Sequence, residues 1–304
     1  MKIGIIGLDT SHVMAFTSML NDKSHPHHIP GGRVIAAYPG GSPDMALSLT
    51  RLNRYTEQLQ ADFGVKIFHS MEEVVQQVDA ILLESVDGRV HLNQFRQIAP
   101  YQKPVFIDKP LAASAEDAVK IMHLARKHQT PLMSSSALRY SESFAEALTS
   151  QRNITGIDVY GPLELEPTQP GLFWYGIHMV EMLYAALGPG CKKVHAAVTD
   201  HHEIITAQWD SGTFGTIRGN RVGNYEFGCV LHSPTKSIQI NASSHRTPYY
   251  GSLLKQIMHF FETHECPIDG NETLEIMYFI EAANQSRLTG ETVELIGKGI
   301  KGIP

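Results

Sequence analysis

The sequence predicts an α/β fold in two parts. A doubly wound parallel sheet is expected over residues 1–137, and an α/β domain with an open-faced, mostly antiparallel sheet over 138–304. Three observations predict this. Over the first part, short apolar runs alternate with helical patterns, as right-handed βαβ units require. Beyond about residue 140 the strands instead alternate polar with apolar residues, the pattern of half-buried antiparallel strands. The length, 304 residues, suits about two domains at roughly 100–200 residues each.

The elements follow in order. KIGIIG (2–7) reads as a short buried strand ending in Gly. Residues 11–21 read as a helix, with Val13, Phe16 and Leu20 on one face. RVIAAY (33–38) is a second strand, 44–62 a helix and VKIF (65–68) a short strand. A helix over 70–77 opens at Ser70, with Glu73 at capping-box spacing. DAILLES (79–85) is a buried strand, 89–99 a helix and PVFID (104–108) another strand. Ser114 caps a helix over 114–128, with Asp117 three residues on, and TPLMSSS (130–136) is one more strand. The domain boundary falls near 136–140. A helix over 141–151 follows. Six strands, GIDVY, KKVHAAVTD, EIITAQWD, TFGTIRGN, YEFGCVLHS and SIQINAS, then share this half with helices over 176–187, 251–264 and 272–289.

Composition excludes several classes. Lys and Arg total 25 against 31 Asp and Glu, a net charge of −6, and no basic run occurs. A nucleic-acid interface needs a clustered basic excess, so none is expected. Hydrophobic residues make up 42%, too many for a disordered chain. No apolar stretch reaches 18 residues, so no membrane helix is expected, and the N-terminal apolar run is too short for a secretory signal. Three widely spaced cysteines, Cys191, Cys229 and Cys266, suit a reducing cytoplasm. Sixteen histidines are conspicuous. The SHPHHIP tract (His25, His27, His28) and HHE at 201–203 read as solvated segments rather than metal sites, because Pro breaks any regular ligand spacing in the first.

Three features in a fixed order carry chemistry: a strand–Gly–helix opening at the N-terminus, IDKP at 107–110, and GIHMVE at 176–181. With LRYS at 138–141 and a final helix before VEL (293–295), this set resembles the Gfo/Idh/MocA family of NAD(P)-dependent oxidoreductases over the whole chain. The resemblance implies an N-terminal Rossmann domain followed by a substrate and oligomerisation domain. It implies that Lys109 stands between the nicotinamide and a substrate hydroxyl, with Asp108 in the place of a usual Glu, orienting the lysine or the cofactor amide. It implies that His178 is the acid/base for that hydroxyl and that Glu181, where the family has Asp, binds or orients. An imidazole titrates near neutrality, which suits this role. Arg139, Trp174 and Tyr175 are expected at the substrate, with His245, Arg246, Tyr249 and Tyr250 as a further candidate wall.

The chain also departs from that pattern. In the G-x-G-x-x-G fingerprint, Gly7 holds the first position, but Asp9 replaces the second glycine and His12 the third. A carboxylate about 4 Å from a phosphate charge costs about 4 kcal/mol at an effective dielectric near 20. Two arrangements stay open. Asp9 caps the following helix and satisfies the amides a pyrophosphate would use. Alternatively the loop shifts, and Thr10, Ser11 and a charged His12 meet the phosphates. Tyr38 ends the second strand without the acid that NAD ribose favours, and the turn to Ser42, with Arg51 or Arg54 nearby, leans toward NADP. Glu84, Ser85 and Asp87 make the expected crevice acidic; a divalent cation would suit three acids there, but no tight ligand spacing supports one.

The sequence therefore points to a cytoplasmic NAD(P)-dependent oxidoreductase acting on a secondary alcohol or ketone of a sugar, cyclitol or related polyol. A non-catalytic metabolite binder or regulator on the same scaffold, possessing no bound cofactor, is the alternative, as is a lyase or isomerase with little use of nucleotide. A homodimer or homotetramer through the C-terminal sheet is expected.

Overall fold

The computed structural model describes residues 1–295 except Arg152 and His245. The described residues divide into two units: 1–135 with 250–268, and 136–249 with 269–295. The first unit is therefore discontinuous in sequence, and each unit is described by itself.

In the first unit, six parallel strands lie in the order β3-β2-β1-β4-β5-β6. They are β1 (Lys2–Ile6), β2 (Arg33–Tyr38), β3 (Lys66–Ile67), β4 (Ala80–Leu83), β5 (Val105–Asp108) and β6 (Leu132–Ser135). β4 and β5 are buried along their whole length, as strands covered on both faces must be. Between them run α1 (Ser11–Asn21), α2 (Ala46–Phe63), α3 (Met71–Gln77), α4 (His91–Ile98) and α5 (Ala115–His128). The capping box at Ser70 and Glu73 forms as the spacing predicts, and the Ser114 hydroxyl accepts from the Asp117 amide. The strand order reverses between β1 and β4, and open sheets of this kind present their ligand crevice at such a point, beyond the carboxyl ends of the strands.

The second unit contains α6 (Glu142–Ser150), β7 (Gly156–Pro162), α7 (Gly176–Leu187), β8 (Cys191–Val198), β9 (His202–Trp209), β10 (Phe214–Asn220), β11 (Gly228–His232), β12 (Ser237–Asn241), α9 (Gly270–Thr289) and β13 (Val293–Glu294). The helix between β12 and α9, α8 (Tyr249–Thr263), falls almost wholly in the first unit. The seven strands lie in the order β12-β11-β7-β10-β9-β8-β13. All pairings are antiparallel except β7 with β10, which is parallel. This one parallel pair is the departure from hairpin-like reading: β10 follows β9 directly, yet its other edge takes the earlier β7. On β9, Glu203, Ile205, Ala207 and Trp209 point inward, while Ile204 is exposed on the other face, as is Phe214 on the neighbouring strand opposite Gln208. One face of this sheet is thus covered and the other open.

Candidate active site

Gly7 ends β1 with φ +86°, and the Ser85 backbone lies so close that a Cβ there would stand 2.4 Å from its nitrogen. Only glycine fits this approach. The following residues do not form an empty cradle. Asp9 is fully buried, and its carboxylate turns away from α1. It accepts from Ser48 Oγ at 2.6 Å and from the Val86 amide at 2.9 Å. The N-cap of α1 is Thr10, whose side chain makes no capping bond. The capping arrangement considered for Asp9 is therefore not the one found: its partners lie 39 and 77 residues away, and two buried donors outcompete the helix end. Burial raises the Asp9 pKa, against the hydrogen bonds from Ser48 and Val86, which lower it.

A second carboxylate extends this web. Asp87 accepts from Ser42 Oγ at 2.6 Å and from the Arg89 amide and guanidinium. Arg89 in turn forks onto both oxygens of Asp44 at 2.8 and 2.9 Å. The Ser42 amide donates to Ser48 Oγ, and Gln94 Nε2 donates to Ser85 Oγ. His91 lies between the Ser85 and Pro110 carbonyls at 2.8 and 2.9 Å. These bonds tie the loops after β1, β2 and β4 to one another. Of the residues expected to touch a dinucleotide, Asp9, Thr10, Ser42, Ser85 and Asp87 are buried, Tyr38 is half-buried and Ser11 is exposed. Ser48, Asp44 and Arg89 join these residues without a mark in the sequence: a Ser at the start of a helix and an Arg two residues after an acid carry no signal of a tertiary contact.

His12 takes a different direction. Its Nδ1 lies 3.1 Å from Asp108 Oδ2 and 3.7 Å from Glu84 Oε2. Its ring packs on Phe16 and on Tyr250 of α8, at 5.5 and 4.5 Å between centroids. Burial lowers the imidazole pKa, but the charges and contacts of Asp108 and Glu84 prevail and raise it to about 9. Burial pushes Glu84 up to about 7, while burial of Asp108 is outweighed by His12 and Lys109, so its pKa is lowered. Lys109 follows Asp108 and is half-buried. Desolvation lowers its pKa, opposed by Asp108 and Glu84.

In the second unit, α7 brings His178 and Glu181 to one face, as their spacing predicts. His178 Nδ1 meets Ser136 Oγ at 2.7 Å. Its ring stands edge-on to Tyr175 at 5.4 Å and to Phe227 at 5.7 Å, and Tyr175 stacks on Phe227. Glu181 is buried; it accepts from the Ser136 amide at 3.2 Å and from Arg139 Nε at 2.6 Å. Arg139 also pairs with Glu272 of α9. Burial raises the Glu181 pKa, against the Arg139 charge. Arg139, Glu181 and His178 thus converge around Ser136, while buried Trp174 lies 6.4 Å from Tyr175. Ser136, Phe227 and Glu272 join the sequence-nominated residues. Of the further wall, Arg246 is exposed and pairs with Glu142 and Glu146, Tyr250 packs on His12 in the first unit, and His245 lies outside the described residues.

Residues 1–136 match the family model GFO_IDH_MocA, described as an oxidoreductase family with an NAD-binding Rossmann fold. No curated protein matches. Among solved structures, a putative myo-inositol dehydrogenase from Sinorhizobium meliloti 1021 superposes with a TM-score of 0.79 at 14% identity, over 97% of this chain and 99% of that one. A probable dehydrogenase from Thermotoga maritima gives 0.77 at 18%, over 97% and 99%. A myo-inositol dehydrogenase from Lactobacillus casei, in complex with NAD(H) and myo-inositol, gives 0.76 at 14%, over 100% and 98%. The resemblance to the Gfo/Idh/MocA oxidoreductases is thereby shown, by the family model for the first domain and, as a fold, along the chain. Among the described residues, no helix is long and apolar enough to cross a membrane.

Proposed function

We propose, on the premise that the chain is built as the Gfo/Idh/MocA oxidoreductases are, that it takes a sugar, cyclitol or related polyol at the second unit and handles a hydroxyl proton there with His178. The observation that carries this is the Ser136–His178 contact at 2.7 Å. It fixes the imidazole ring, which Tyr175 and Phe227 flank edge-on. Nε2 is then the atom that exchanges the proton. Arg139 and Glu181 position Ser136, because Glu181 receives both the Arg139 Nε–H and the Ser136 amide. A structural neighbour that holds myo-inositol supports the substrate class.

The family description over residues 1–136 implies a nicotinamide dinucleotide, and the start of α1 suits its phosphates: the Asp9 carboxylate turns to Ser48 and Val86 and Thr10 makes no capping bond, so neither side chain takes the first amides of that helix. The reading favoured is an NAD(P)-dependent dehydrogenase using Lys109 and His178 as the resemblance implies, in which the bound dinucleotide would carry the hydride. The second reading is a polyol-binding protein that does not draw on an exchangeable dinucleotide; the buried Asp9 at the second glycine and the Ser42–Asp87 hydrogen bond favour it.

Calorimetric titration with NADH and NADPH, beside thermal shifts with a panel of polyols including myo-inositol, separates the two. A polyol at 100 times its Kd adds about 2.7 kcal/mol. At about 2–4 °C per kcal/mol, this raises Tm by about 5–10 °C. Micromolar dinucleotide binding with polyol turnover is expected. Polyol stabilisation without dinucleotide binding at millimolar concentration establishes the second reading instead, and no response to any polyol removes both. The open sheet face with Ile204 and Phe214 supports a homodimer or homotetramer, which light scattering after size exclusion tests. A cytoplasmic location is proposed on the odd, widely spaced cysteines alone.

A further inference from the structure

The His12, Glu84 and Asp108 cluster in the first unit differs from the other buried carboxylates there. Both oxygens of Asp9 are met by donors, and so are those of Asp87. Glu84 has no exposed surface, yet neither of its carboxylate oxygens has an aligned hydrogen-bond partner. Asp108 Oδ1 and His12 Nδ1 are likewise without one. An unmet buried carboxylate is costly, and native interiors rarely leave one so. A protonated His12 offsets part of the charge, but the N–H at Nδ1 can serve only one of these oxygens well.

The three side chains each offer a ligand atom, and these atoms all lie within 4.8 Å of one another. We propose that this cluster binds one first-row divalent ion, with Zn²⁺ the best match. Tetrahedral Zn²⁺ with ligands at about 2.0–2.2 Å sets neighbouring ligand atoms roughly 3.4 Å apart. The Nδ1 separations found, 3.1 and 3.7 Å, bracket that value. An imidazole with two carboxylates suits Zn²⁺ or Mn²⁺, whereas Ca²⁺ asks for six to eight oxygens. Three protein ligands leave a fourth position for water or a ligand hydroxyl. The His12 ring is already oriented, held by Phe16 and Tyr250. Lys109 beside Asp108 supplies a cation that competes for the same carboxylates, so the rival arrangement is an ion-pair cluster of Lys109, protonated His12 and the two acids. The inference is independent of the proposed polyol site, which lies in the second unit.

The test uses the whole chain, purified without a metal-binding tag. Elemental analysis is expected to find about one Zn²⁺ per chain after equilibration with ZnCl₂ and dialysis. EDTA is expected to lower Tm and ZnCl₂ to restore it. Calorimetric titration of the EDTA-treated chain with ZnCl₂ should show one site, weakened on the order of 100-fold by Glu84→Gln. His12→Asn carries the same test if Glu84→Gln fails to fold. A chain that retains no metal, with a Tm indifferent to ZnCl₂, MnCl₂ and EDTA, overturns the proposal in favour of the ion-pair cluster. Undiminished binding in both variants also overturns it and puts the ion elsewhere, with the His25–His28 tract the next place to look.

Discussion

Replacing Asp9 with Ala tests whether the web around the loop after β1 is a structural feature in its own right. The substitution leaves two buried donors, Ser48 Oγ and the Val86 amide, without their acceptor. Leaving a buried donor without its acceptor costs about 1–3 kcal/mol, so the gross loss for two is about 2–6 kcal/mol. Removing a buried carboxyl also removes its desolvation cost, which brings the expected net loss to about 2–4 kcal/mol. At about 2–4 °C per kcal/mol, Tm falls by about 5–15 °C. The pH dependence has a definite sign. Burial raises the folded-state pKa of Asp9 above 3.8. The folded chain then holds this proton to higher pH than the unfolded chain does. The stability Asp9 contributes is fully present below about 3.8 and declines as pH rises through the folded value. The penalty of Asp9→Ala should therefore be largest in acid. Scanning calorimetry across pH measures this, and a double-mutant cycle with Ser48→Ala isolates the contact. A loss under about 0.5 kcal/mol, a penalty that grows with pH, or strict additivity in the cycle refutes the reasoning.

Three further outcomes are expected. Glu203 has no exposed surface in its side chain and binds both Arg221 and Arg287 at 2.7 Å; Glu203→Ala strands two guanidinium groups and should cost about 3–5 kcal/mol in urea unfolding, whereas a loss under 1 kcal/mol would show that water repairs the site. Arg139→Met removes the cation facing Glu181, whose pKa is already raised by burial; the folded-state pKa rises further, so the variant's deficit relative to the parent should widen in circular-dichroism melts from pH 5 to pH 8, and a constant deficit counts against it. Cys266 is exposed, while burial pushes the Cys191 and Cys229 thiols up to about 12; a disulfide reagent should titrate one thiol per native chain and three in denaturant, and rapid reaction of two or more in the native state contradicts the burial.

What the sequence made legible was local or periodic. The caps at Ser70 and Ser114 rest on residues three apart, and both form. The alternation of buried strands and helices gave the parallel sheet, and the polar/apolar alternation gave the half-covered one. His178 and Glu181 share a helical face because three residues make nearly one turn. The rest depended on distance. Asp9 could be weighed only against its neighbours, and its nearest helix end looked like the natural partner; Ser48 and Val86 win because the fold brings them in, already desolvated. The Glu181 partners, Arg139 and the Ser136 amide, lie 42 and 45 residues away and leave no local mark in the sequence. Glu272, 133 residues from Arg139, carries no local mark at all. The metal-ligand spacing missing along the chain exists across it, since His12, Glu84 and Asp108 lie after β1, after β4 and at the end of β5, three strands that are neighbours in the sheet.

The return of residues 250–268 to the first unit bears on how the protein can be made and cut. A ribosome that has released residue 135 has delivered all six parallel strands but not the helix that packs Tyr250 against His12 and brings Met258 beside Gly32. The first half therefore waits, with an apolar seam uncovered, for more than a hundred further residues to emerge. A fragment stopped at the apparent boundary would carry that seam permanently and should aggregate. One that joins residues 1–135 to 250–268 through a short flexible linker supplies the missing piece.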